Sequence, residues 1–362
     1  MIVMFFNLMR KVSKWFLERP IEYGPDLVNK WLESQDQKAM TVVSTETPWG
    51  LISDSTSLQP NHLILNPSLE VNSLHDTADE VKTEWIVGIG SGRVMDVTKY
   101  LAFYLKKNRN RKIKVCLIPS ILSTTAWANF GIAVRKDNKL YMPGNRTSDL
   151  TIVDPLFINQ APERLNTGGI ADLVASASAM SDWKLAHDTN GEKISKKALP
   201  AYRDFINRCI QDQRLLHPFN QDSVKYIYET FMDALGLCGA SMSGRPMEGA
   251  EHFLYYAIDE LDDRLWNHGQ IIAFTTLTCL HLHKESGWAF YNSDRLKKYF
   301  DNLKIKYSMA DLGLMRQEMG IILANMRDFV IKNGYYFTIW NSLDFSNNGD
   351  MLESILDWME CL

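Results

Sequence analysis

Short runs of β-branched and aliphatic residues punctuate the first 155 residues of the chain. Five such runs are bounded by polar or turn-forming residues and separated by helical patterns, and a further helix is predicted over residues 22–39. The predicted strands cover residues 40–44, 62–65, 85–88, 114–118 and 150–153. Strands that alternate with helices are typical of a parallel sheet with crossover helices, so the sequence predicts an α/β domain over residues 1–155.

The hydrophobic pattern changes after Pro155, where strand-like runs disappear and long helical periodicities follow one another. The predicted helices cover residues 161–187, 195–213, 221–243, 247–262, 268–284, 294–303, 309–332 and 350–361, and residues 341–350 are predicted as a loop. Residues 156–362 are therefore expected to form a second, all-α domain. Two domains also suit a chain of 362 residues, which is long for one compact core.

Composition excludes several classes of protein. A hydrophobic content of 46% with 23% charged residues is typical of a globular chain, and a formal charge of -4 argues against a nucleic-acid partner. The five cysteines are scattered and lack CxxC spacing. That pattern favours a reducing compartment and gives no support to a cysteine-based zinc site.

The N-terminal segment MIVMFFNLMRKVSKWFL combines an apolar run with basic residues that follow it. It lacks the order of a signal peptide and is too short to span a bilayer. It is expected to form a helix that packs on its own domain, the alternative being an amphipathic helix on a membrane or a partner subunit. With no membrane span elsewhere, the protein is predicted to be cytoplasmic, and a homo-oligomer remains open.

A glycine-rich turn lies between the third predicted strand and the helix that follows it. Gly88, Gly90 and Gly92 permit close backbone approach, and the start of the helix offers free amides and a positive dipole end to a phosphate. The turn departs from the GxGxxG fingerprint because position 93 is Arg, and a plain tight turn is the alternative interpretation. Asp96 and Lys99 follow at helical-turn spacing, which favours phosphate binding.

Two histidines, His252 and His268, stand sixteen positions apart, each preceded by a polar residue, Glu251 and Asn267. A catalytic metal site needs neutral imidazoles held by a second partner, together with an open position for substrate. Ordinary core or surface histidines are the alternative. Glu46, at the end of the first strand, is placed to accept hydrogen bonds from an adenosine ribose, or is a solvated loop residue.

The glycine turn, GIGSGRVMDVTKYLA, resembles a segment of the glycerol-1-phosphate dehydrogenases, which belong to the superfamily of dehydroquinate synthases and iron-type alcohol dehydrogenases. Further segments similar to that family follow in the same order and extend over about residues 85–275. They are IPSILSTTAWANFGIAV, TIVDPLFINQAPERLNTGGIADLVA, SDWKLA, SGRPMEGAEH and NHGQ. The resemblance implies a dehydroquinate synthase-like fold, with a Rossmann-like parallel-sheet domain before an all-α domain.

The resemblance also implies cofactors and the residues that hold them. Asp172, His252 and His268 would bind a catalytic Zn²⁺ or another divalent metal. NAD or NADP would lie on the first domain, with residues near the nicotinamide end at Ser120 and Ser123. The residues implied on the pyrophosphate side are Gly90, Ser91, Gly92 and Asp96.

The residues around the implied substrate depart from the family pattern. Thr124 and Thr125 replace a His-Asp pair, Ser176 replaces a Lys or His, and Tyr256 replaces a second His. The expected activity is a metal-dependent, NAD(P)-linked oxidoreductase acting on a small polyol or polyol phosphate, with glycerol 1-phosphate itself in doubt. The alternatives are a sugar-phosphate cyclase that uses NAD transiently, disfavoured because its GGK element is absent, and a non-catalytic nucleotide-binding descendant.

Three further residues are candidates for site or structural roles. Arg245 precedes Pro246 near the expected site and is either a contact for a substrate phosphate or a helix-end arginine. His281 and His283 lie two positions apart on a helix and so face different sides, which indicates structural roles.

Overall fold

The structure is a computed structural model that describes residues 20–195, 197–261, 264 and 266–362. The N-terminal segment discussed above lies outside these residues. The chain divides into two compact units, one running up to Asn166 and including Phe219–Lys225, the other formed by Thr167–Pro218 and Tyr226–Leu362. The boundary predicted at residue 155 stays a prediction.

A six-stranded, fully parallel sheet forms the centre of the first unit. Its strand order is β1-β8-β5-β4-β2-β3. The strands are β1 (Ile21–Tyr23), β2 (Met40–Ser44), β3 (His62–Leu65), β4 (Trp85–Gly90), β5 (Lys114–Pro119) and β8 (Leu150–Val153). All five predicted strands are present. Their residues on β2, β4 and β5 are buried almost throughout, as expected for a parallel sheet covered on both faces.

Helices cover the sheet and provide the crossovers between parallel strands. They are α1 (Leu27–Ser34), α2 (Glu46–Thr56), α3 (Val71–Glu80), α4 (Gly92–Arg109) and α5 (Pro155–Ile158). Val28 and Leu32 of α1 join Val42, Val87 and Ile152 of the sheet in one buried cluster. The first unit therefore has its own hydrophobic core.

The prediction of one helix over residues 22–39 is wrong at its start. Residues 21–23 form β1, which pairs with β8, and Asp26 precedes α1 with φ 60°. Strand β1 lacks an apolar run, so only its pairing with β8 reveals it. A hairpin of β6 (Val134–Lys136) and β7 (Lys139–Tyr141), which the sequence did not predict, turns through Asp137 and Asn138 at positive φ.

The second unit is helical, and none of the described residues after Val153 lies in a strand of the sheet. Its helices are α6 (Glu163–Val174), α7 (Ser176–Asn190), α8 (Ala198–Gln211), α9 (Gln221–Ser241), α10 (Ala250–Asp259), α11 (His268–Glu285), α12 (Ser293–Asn302), α13 (Met309–Leu312), α14 (Arg316–Lys332), α15 (Ile339–Ser342) and α16 (Gly349–Glu360). The predicted fold class, a parallel α/β sheet followed by a largely helical region, is confirmed.

Two long predicted helices are each divided in the structure. The pattern over residues 161–187 is split between α6 and α7, and that over residues 309–332 between α13 and α14. Gly313 takes φ 66° after α13, a conformation that ends a helix at little cost for a residue without a Cβ. The predicted loop over residues 341–350 overlaps the end of α15 and the start of α16.

No helix within the described part of the chain is long and apolar enough to cross a bilayer.

A buried carboxylate, Asp182 on α7, joins three other helices of the second unit. Its Oδ2 accepts from the Ala250 backbone N–H at 2.7 Å, and its Oδ1 accepts from the Ile339 N–H at 2.8 Å. His283 Nε2 on α11 lies 3.0 Å from the same Oδ1, and both side chains are fully buried. A buried carboxylate needs such partners to offset its lost hydration, so Asp182 fixes the starts of α10 and α15 against α7 and α11.

Replacing Asp182 with Ala should destabilise the protein strongly, because two backbone amides and an imidazole lose their acceptor. Breaking one side of a buried pair costs about 3–5 kcal/mol, which denaturant unfolding would measure. Asp188→Ala is the matched control on α7, since its carboxylate pairs with Lys184 on the surface and should change the free energy of unfolding little. Equal effects of the two substitutions would contradict the central role of Asp182.

Candidate active site

The carboxyl edge of the sheet has a topological switch point between β2 and β4. The chain runs outward from β2 to β3, returns to β4 on the other side of β2, and continues outward to β5. Ligands of open α/β sheets bind in the crevice outside the carboxyl ends of strands at such a point. Glu46 follows β2, Gly90 ends β4 and Ser120 follows β5, so these predicted residues all lie along this edge.

The glycines of the turn allow α4 to pack tightly on β4. A Cβ at Gly88 would lie 2.4 Å from Thr98 Oγ1, and one at Gly90 would lie 2.7 Å from Val94 Cγ2, so neither position has room for a side chain. Ser91 is the N-cap residue of the 18-residue α4, but its side chain makes no hydrogen bond to the first amides of the helix. Those amides remain available to an anion.

Arg93, noted in the sequence only as a departure from the fingerprint, lies at the second position of α4. Burial lowers the pKa of Arg93, and the neighbouring charge of Arg135 lowers it further. Its Nε is buried without a hydrogen-bond partner among the described residues. A partly buried guanidinium with a spare donor, beside free helix amides, is suited to an anionic ligand.

Asp96 and Lys99, the charged residues that follow the turn, contact each other and other protein groups. Lys99 is fully buried, and its Nζ contacts Asp96 Oδ1 at 2.9 Å, Gly131 O at 2.5 Å and Asn129 Oδ1 at 3.3 Å. The amine of Lys99 is therefore satisfied internally. The Asp96 carboxylate supports this buried amine.

The loop after β5 contains the residues implied near the nicotinamide. The Ser120 backbone N–H donates to Gly90 O at 2.8 Å, which ties the loop to the glycine turn, and both Ser120 and Ser123 are buried. Thr124 Oγ1 caps the following turn by accepting from Ala126 N–H, and it is also the atom that a Cβ at Gly92 would meet at 2.6 Å. The loop thus packs directly against the turn.

Glu46 is the first residue of α2 and is exposed. Its Oε1 accepts from Asn66 Nδ2 at 3.2 Å. A carboxylate after the strand next to the glycine turn is where Rossmann-type domains contact the ribose hydroxyls.

In the second unit, three of the predicted residues form one compact group. Asp172 Oδ1 lies 3.3 Å from His252 Nε2 and 3.3 Å from His268 Nε2, and one ligand atom from each residue lies within 4.8 Å of the other two. Asp172 comes from α6, His252 from α10 and His268 from the first position of α11. The structure therefore brings together the full predicted triad, from positions 96 residues apart.

Two glycines set the distance between the helices that carry Asp172 and His268. A Cβ at Gly269 would lie 1.9 Å from Gly168 O, and a Cβ at Gly168 would lie 3.1 Å from Asn267 Oδ1. The backbones of α6 and α11 consequently touch where neither has a side chain. Asp172 follows Gly168 by about one helical turn, which places its carboxylate beside His268.

A second carboxylate supports His252 from the opposite side of its ring. Glu251 Oε1 lies 2.9 Å from His252 Nδ1 and accepts from the Gly249 N–H at 2.9 Å. Asn267, the polar residue that precedes His268, has a different role. Its side chain accepts from the Gln270 N–H and so caps α11.

The electrostatics of the triad favour a cation. Burial alone would raise the pKa of Asp172, but the two imidazoles at its oxygen hold that pKa well below its usual range. Burial alone would lower the pKa of His252, but its hydrogen bonds to Asp172 and Glu251 raise it to about 10. Metal ligation requires a neutral imidazole, so an ion bound at this site would displace a proton from His252 Nε2.

Aromatic rings line the imidazoles. Tyr255, three positions after His252, meets the His268 ring edge-on with centroids 5.0 Å apart. Tyr255 was not among the predicted site residues, although its i,i+3 spacing from His252 was the available signal. Tyr256 donates its hydroxyl to Glu248 Oε1 at 2.7 Å, and burial, reinforced by Glu248, raises the pKa of Tyr256 well above its usual value.

The other departures from the family pattern are also satisfied internally. Ser176 Oγ donates to Leu173 O at 3.0 Å, and Thr125 Oγ1 accepts from Asn129 Nδ2 at 2.8 Å.

The remaining candidates have structural roles. Arg245 is buried, and its three guanidinium nitrogens donate to both Glu192 oxygens, at 2.9 and 2.5 Å, and to Phe337 O at 2.6 Å, which indicates a structural role. His281 stacks on Trp358 with centroids 4.2 Å apart, and His283 holds Asp182 as described above.

Comparison with known sequences identifies relatives over nearly the whole chain. No protein-family model matches it. A glycerol-1-phosphate dehydrogenase (NAD(P)+) of Thermoplasma volcanium is 24% identical over 350 residues, covering 93% of this chain and 95% of the relative. The protein of the same name from Thermoplasma acidophilum is 25% identical over 250 residues, covering 67% and 68%.

Comparison with solved structures identifies the fold. A probable glycerol dehydrogenase from Sinorhizobium meliloti 1021 superposes with a TM-score of 0.68 at 15% identity, covering 95% of this chain and 96% of that one. An iron-containing alcohol dehydrogenase from Corynebacterium glutamicum gives a TM-score of 0.62 at 10% identity, covering 94% of each chain. The resemblance seen in the sequence is thereby confirmed: this chain is a relative of the glycerol-1-phosphate dehydrogenases with the fold of the glycerol and iron-containing alcohol dehydrogenases.

Proposed function

We propose that this protein is a metal-dependent, NAD(P)-linked oxidoreductase that interconverts a small polyol, or a polyol phosphate, and its ketone. The observation that carries the proposal is the compact group of Asp172, His252 and His268, in a chain related to enzymes named for that activity. The related chains support an enzyme rather than a binding protein. The substrate, the metal and the roles of single residues are proposals.

The donor set of the triad fits a divalent metal such as zinc. Tetrahedral coordination with bonds of about 2.0–2.2 Å places ligand atoms about 3.4 Å apart. The two distances of 3.3 Å from Asp172 Oδ1 to the imidazoles match that spacing. Two imidazoles and one carboxylate leave a coordination position for substrate, which favours a catalytic over a structural site.

The first unit is proposed to bind the dinucleotide at the β2/β4 switch point. The free amides at the start of α4, supplied by Ser91 and Gly92 after Gly90, would face the pyrophosphate, with Arg93 adding a positive charge. Glu46 would meet the adenosine ribose. Ser120 and Ser123 would line the nicotinamide end, while Asp96 would act through Lys99.

The residues of the chain bind and orient, and the cofactors supply the redox chemistry. A metal at this site would supply Lewis-acid polarisation of a substrate oxygen, and a bound nicotinamide would supply hydride transfer. Asp172 and the two histidines would hold the ion, and Tyr255 packs edge-on against the His268 ring and so limits its orientation. The burial of Asp172 and His252 excludes water from that side of the site, which strengthens every charge interaction there.

The state of the cysteines is consistent with a reducing compartment. None of the five cysteines, all of them in the described part of the chain, forms a disulfide, and Cys116, Cys209 and Cys279 are buried, as expected of small core residues. We therefore propose a cytoplasmic location.

A panel of polyols and polyol phosphates tests the activity directly. The protein, supplied with Zn²⁺ and with NAD+ or NADP+, should produce NAD(P)H with at least one small polyol or its phosphate, followed by absorbance. Thr124, Thr125, Ser176 and Tyr256 replace charged or imidazole side chains of the family. Glycerol 1-phosphate is therefore not expected to be the best substrate. No turnover across the panel would favour the non-catalytic descendant.

The metal is tested by removing one ligand. The protein should retain one divalent ion per chain, measured by metal analysis, whereas His252→Ala should lose the ion and lose turnover by more than the roughly 10–100-fold typical of an outer partner. Dinucleotide binding, measured by NAD(P)H fluorescence, should persist because the glycine turn belongs to the other unit. His187→Ala, which alters an exposed imidazole, is the control. An ion retained by His252→Ala would rule out this site.

The glycine turn is tested by a substitution and its compensation. Gly90→Ala should weaken NAD(P)H binding and lower stability by about 1–3 kcal/mol, because its methyl group overlaps Val94 Cγ2 and displaces the start of α4. Adding Val94→Ala removes the overlapping atoms and should restore part of both losses. Dinucleotide affinity that is unaffected by Gly90→Ala would place the binding site elsewhere.

The preference for NAD over NADP tests the proposed contact of Glu46 with the adenosine ribose. Glu46→Gln should raise the affinity for NADP relative to NAD about fivefold, because a nearby carboxylate repels the 2′-phosphate by about 1 kcal/mol in water. The ratio of the two dissociation constants is the readout. Glu33→Gln, an exposed charge on α1, serves as the control. An unchanged ratio in Glu46→Gln would remove Glu46 from the ribose site.

A further inference from the structure

We infer that Glu251 is a positioning residue for the metal ligand His252. It holds the proton of His252 on Nδ1 and thereby directs the Nε2 lone pair towards the ion. This inference rests on the proposed function, since it concerns the same metal site. It assigns a role to a residue that makes no contact with the proposed ion or substrate.

The contact geometry supports this role. Glu251 Oε1 lies 2.9 Å from His252 Nδ1, while His252 Nε2, on the other side of the ring, lies 3.3 Å from Asp172 Oδ1. An imidazole with a carboxylate at one nitrogen has a fixed tautomer and a fixed ring orientation, and it is a stronger base at the other nitrogen. Both nitrogens of His252 are therefore defined by acidic groups from opposite sides.

Capping of α10 does not account for Glu251. Asp182 already accepts from the Ala250 N–H at the start of that helix. Glu251 Oε1 accepts from the Gly249 N–H, but Glu251 Oε2 is buried with no hydrogen-bond donor in the described part of the chain. A buried carboxylate oxygen left without a donor is costly for folding, so stability alone does not explain a carboxylate at this position.

The structure keeps room for this carboxylate. A Cβ at Gly249 would lie 3.0 Å from Glu251 Oε2 and 2.7 Å from Asp182 Oδ2. The same Cβ would lie 2.7 Å from Ala179 Cα on α7, so both the α7 backbone and the two carboxylates exclude a side chain here. Glycine at position 249 therefore leaves the room that the Glu251 carboxylate occupies.

A charge count explains why a buried carboxylate is useful at this position. Asp172 and Glu251 each contribute one negative charge, and the two histidines are neutral when they bind a metal. A divalent cation then brings the buried group to zero net charge. Glutamine at position 251 would keep the shape but remove the carboxylate from His252 Nδ1 and leave the group one negative charge short of a divalent cation, which disfavours ion binding.

Metal titration of the full chain tests the inference. Chelator-treated wild-type protein, Glu251→Gln and Glu248→Gln are titrated with Co²⁺ and Zn²⁺, and the dissociation constants and the visible Co²⁺ spectra are compared. Glu248→Gln is the matched control, because Glu248 is a nearby carboxylate that contacts Tyr256 and not an imidazole. Circular dichroism of the metal-free proteins reports whether each variant is folded.

Glu251→Gln should bind one ion about 10–100-fold more weakly than wild type and should shift the Co²⁺ spectrum at saturation. Glu248→Gln should keep both wild-type properties. If Glu251→Gln does not fold, Glu251→Asp carries the test, and it should retain the charge, fold, and bind the ion with intermediate affinity and a shifted spectrum.

Two results would overturn the inference in distinguishable ways. Wild-type affinity and spectrum in Glu251→Gln, or in Glu251→Asp where that variant carries the test, would reject the positioning role and leave the proposed function intact. A wild-type protein that binds neither ion would reject the metal site itself, and with it the proposed function.

Discussion

The contact between Gly168 and Gly269 is the constraint on which the candidate metal site depends. Because a Cβ at Gly269 would lie 1.9 Å from Gly168 O, α6 and α11 can approach only with glycine at that position. The first residue of α11, His268, and the Asp172 carboxylate one turn along α6 then meet at 3.3 Å. His252 completes the group from α10, whose start is fixed by the buried acceptor Asp182. The site is thus built from backbone contacts and buried hydrogen bonds rather than from flexible loops.

The sequence predicts the strands and helices well where the local signal is strong. Runs such as MTVVS and WIVG are β-branched and apolar, and they lie in fully buried parallel strands. Strand β1 was missed because IEY carries no such run and is held by pairing with β8 alone. The division of the last long helical pattern at Gly313 depends on a positive φ that periodicity does not register.

The candidate site could be anticipated only in part. The two histidines were visible from their spacing and neighbours, but Asp172 was identified through family resemblance, since 96 positions separate it from His268. Contacts such as Glu192 with Arg245 and Asp182 with His283 join distant parts of the chain, so the sequence could not show that Arg245 pairs with a buried protein partner. The substituted positions are likewise explained only by the structure: Ser176, Thr125 and Tyr256 each have a protein partner, so the local structure accommodates them.

The origin of the three triad residues on three different helices couples ion binding to folding. Asp172, His252 and His268 lie together only when α6, α10 and α11 are packed, so an ion that binds all three must stabilise the folded chain over the unfolded one. The stabilisation grows with the logarithm of free metal concentration. The amount of folded protein in a cell would therefore follow the supply of its metal, independently of the supply of substrate.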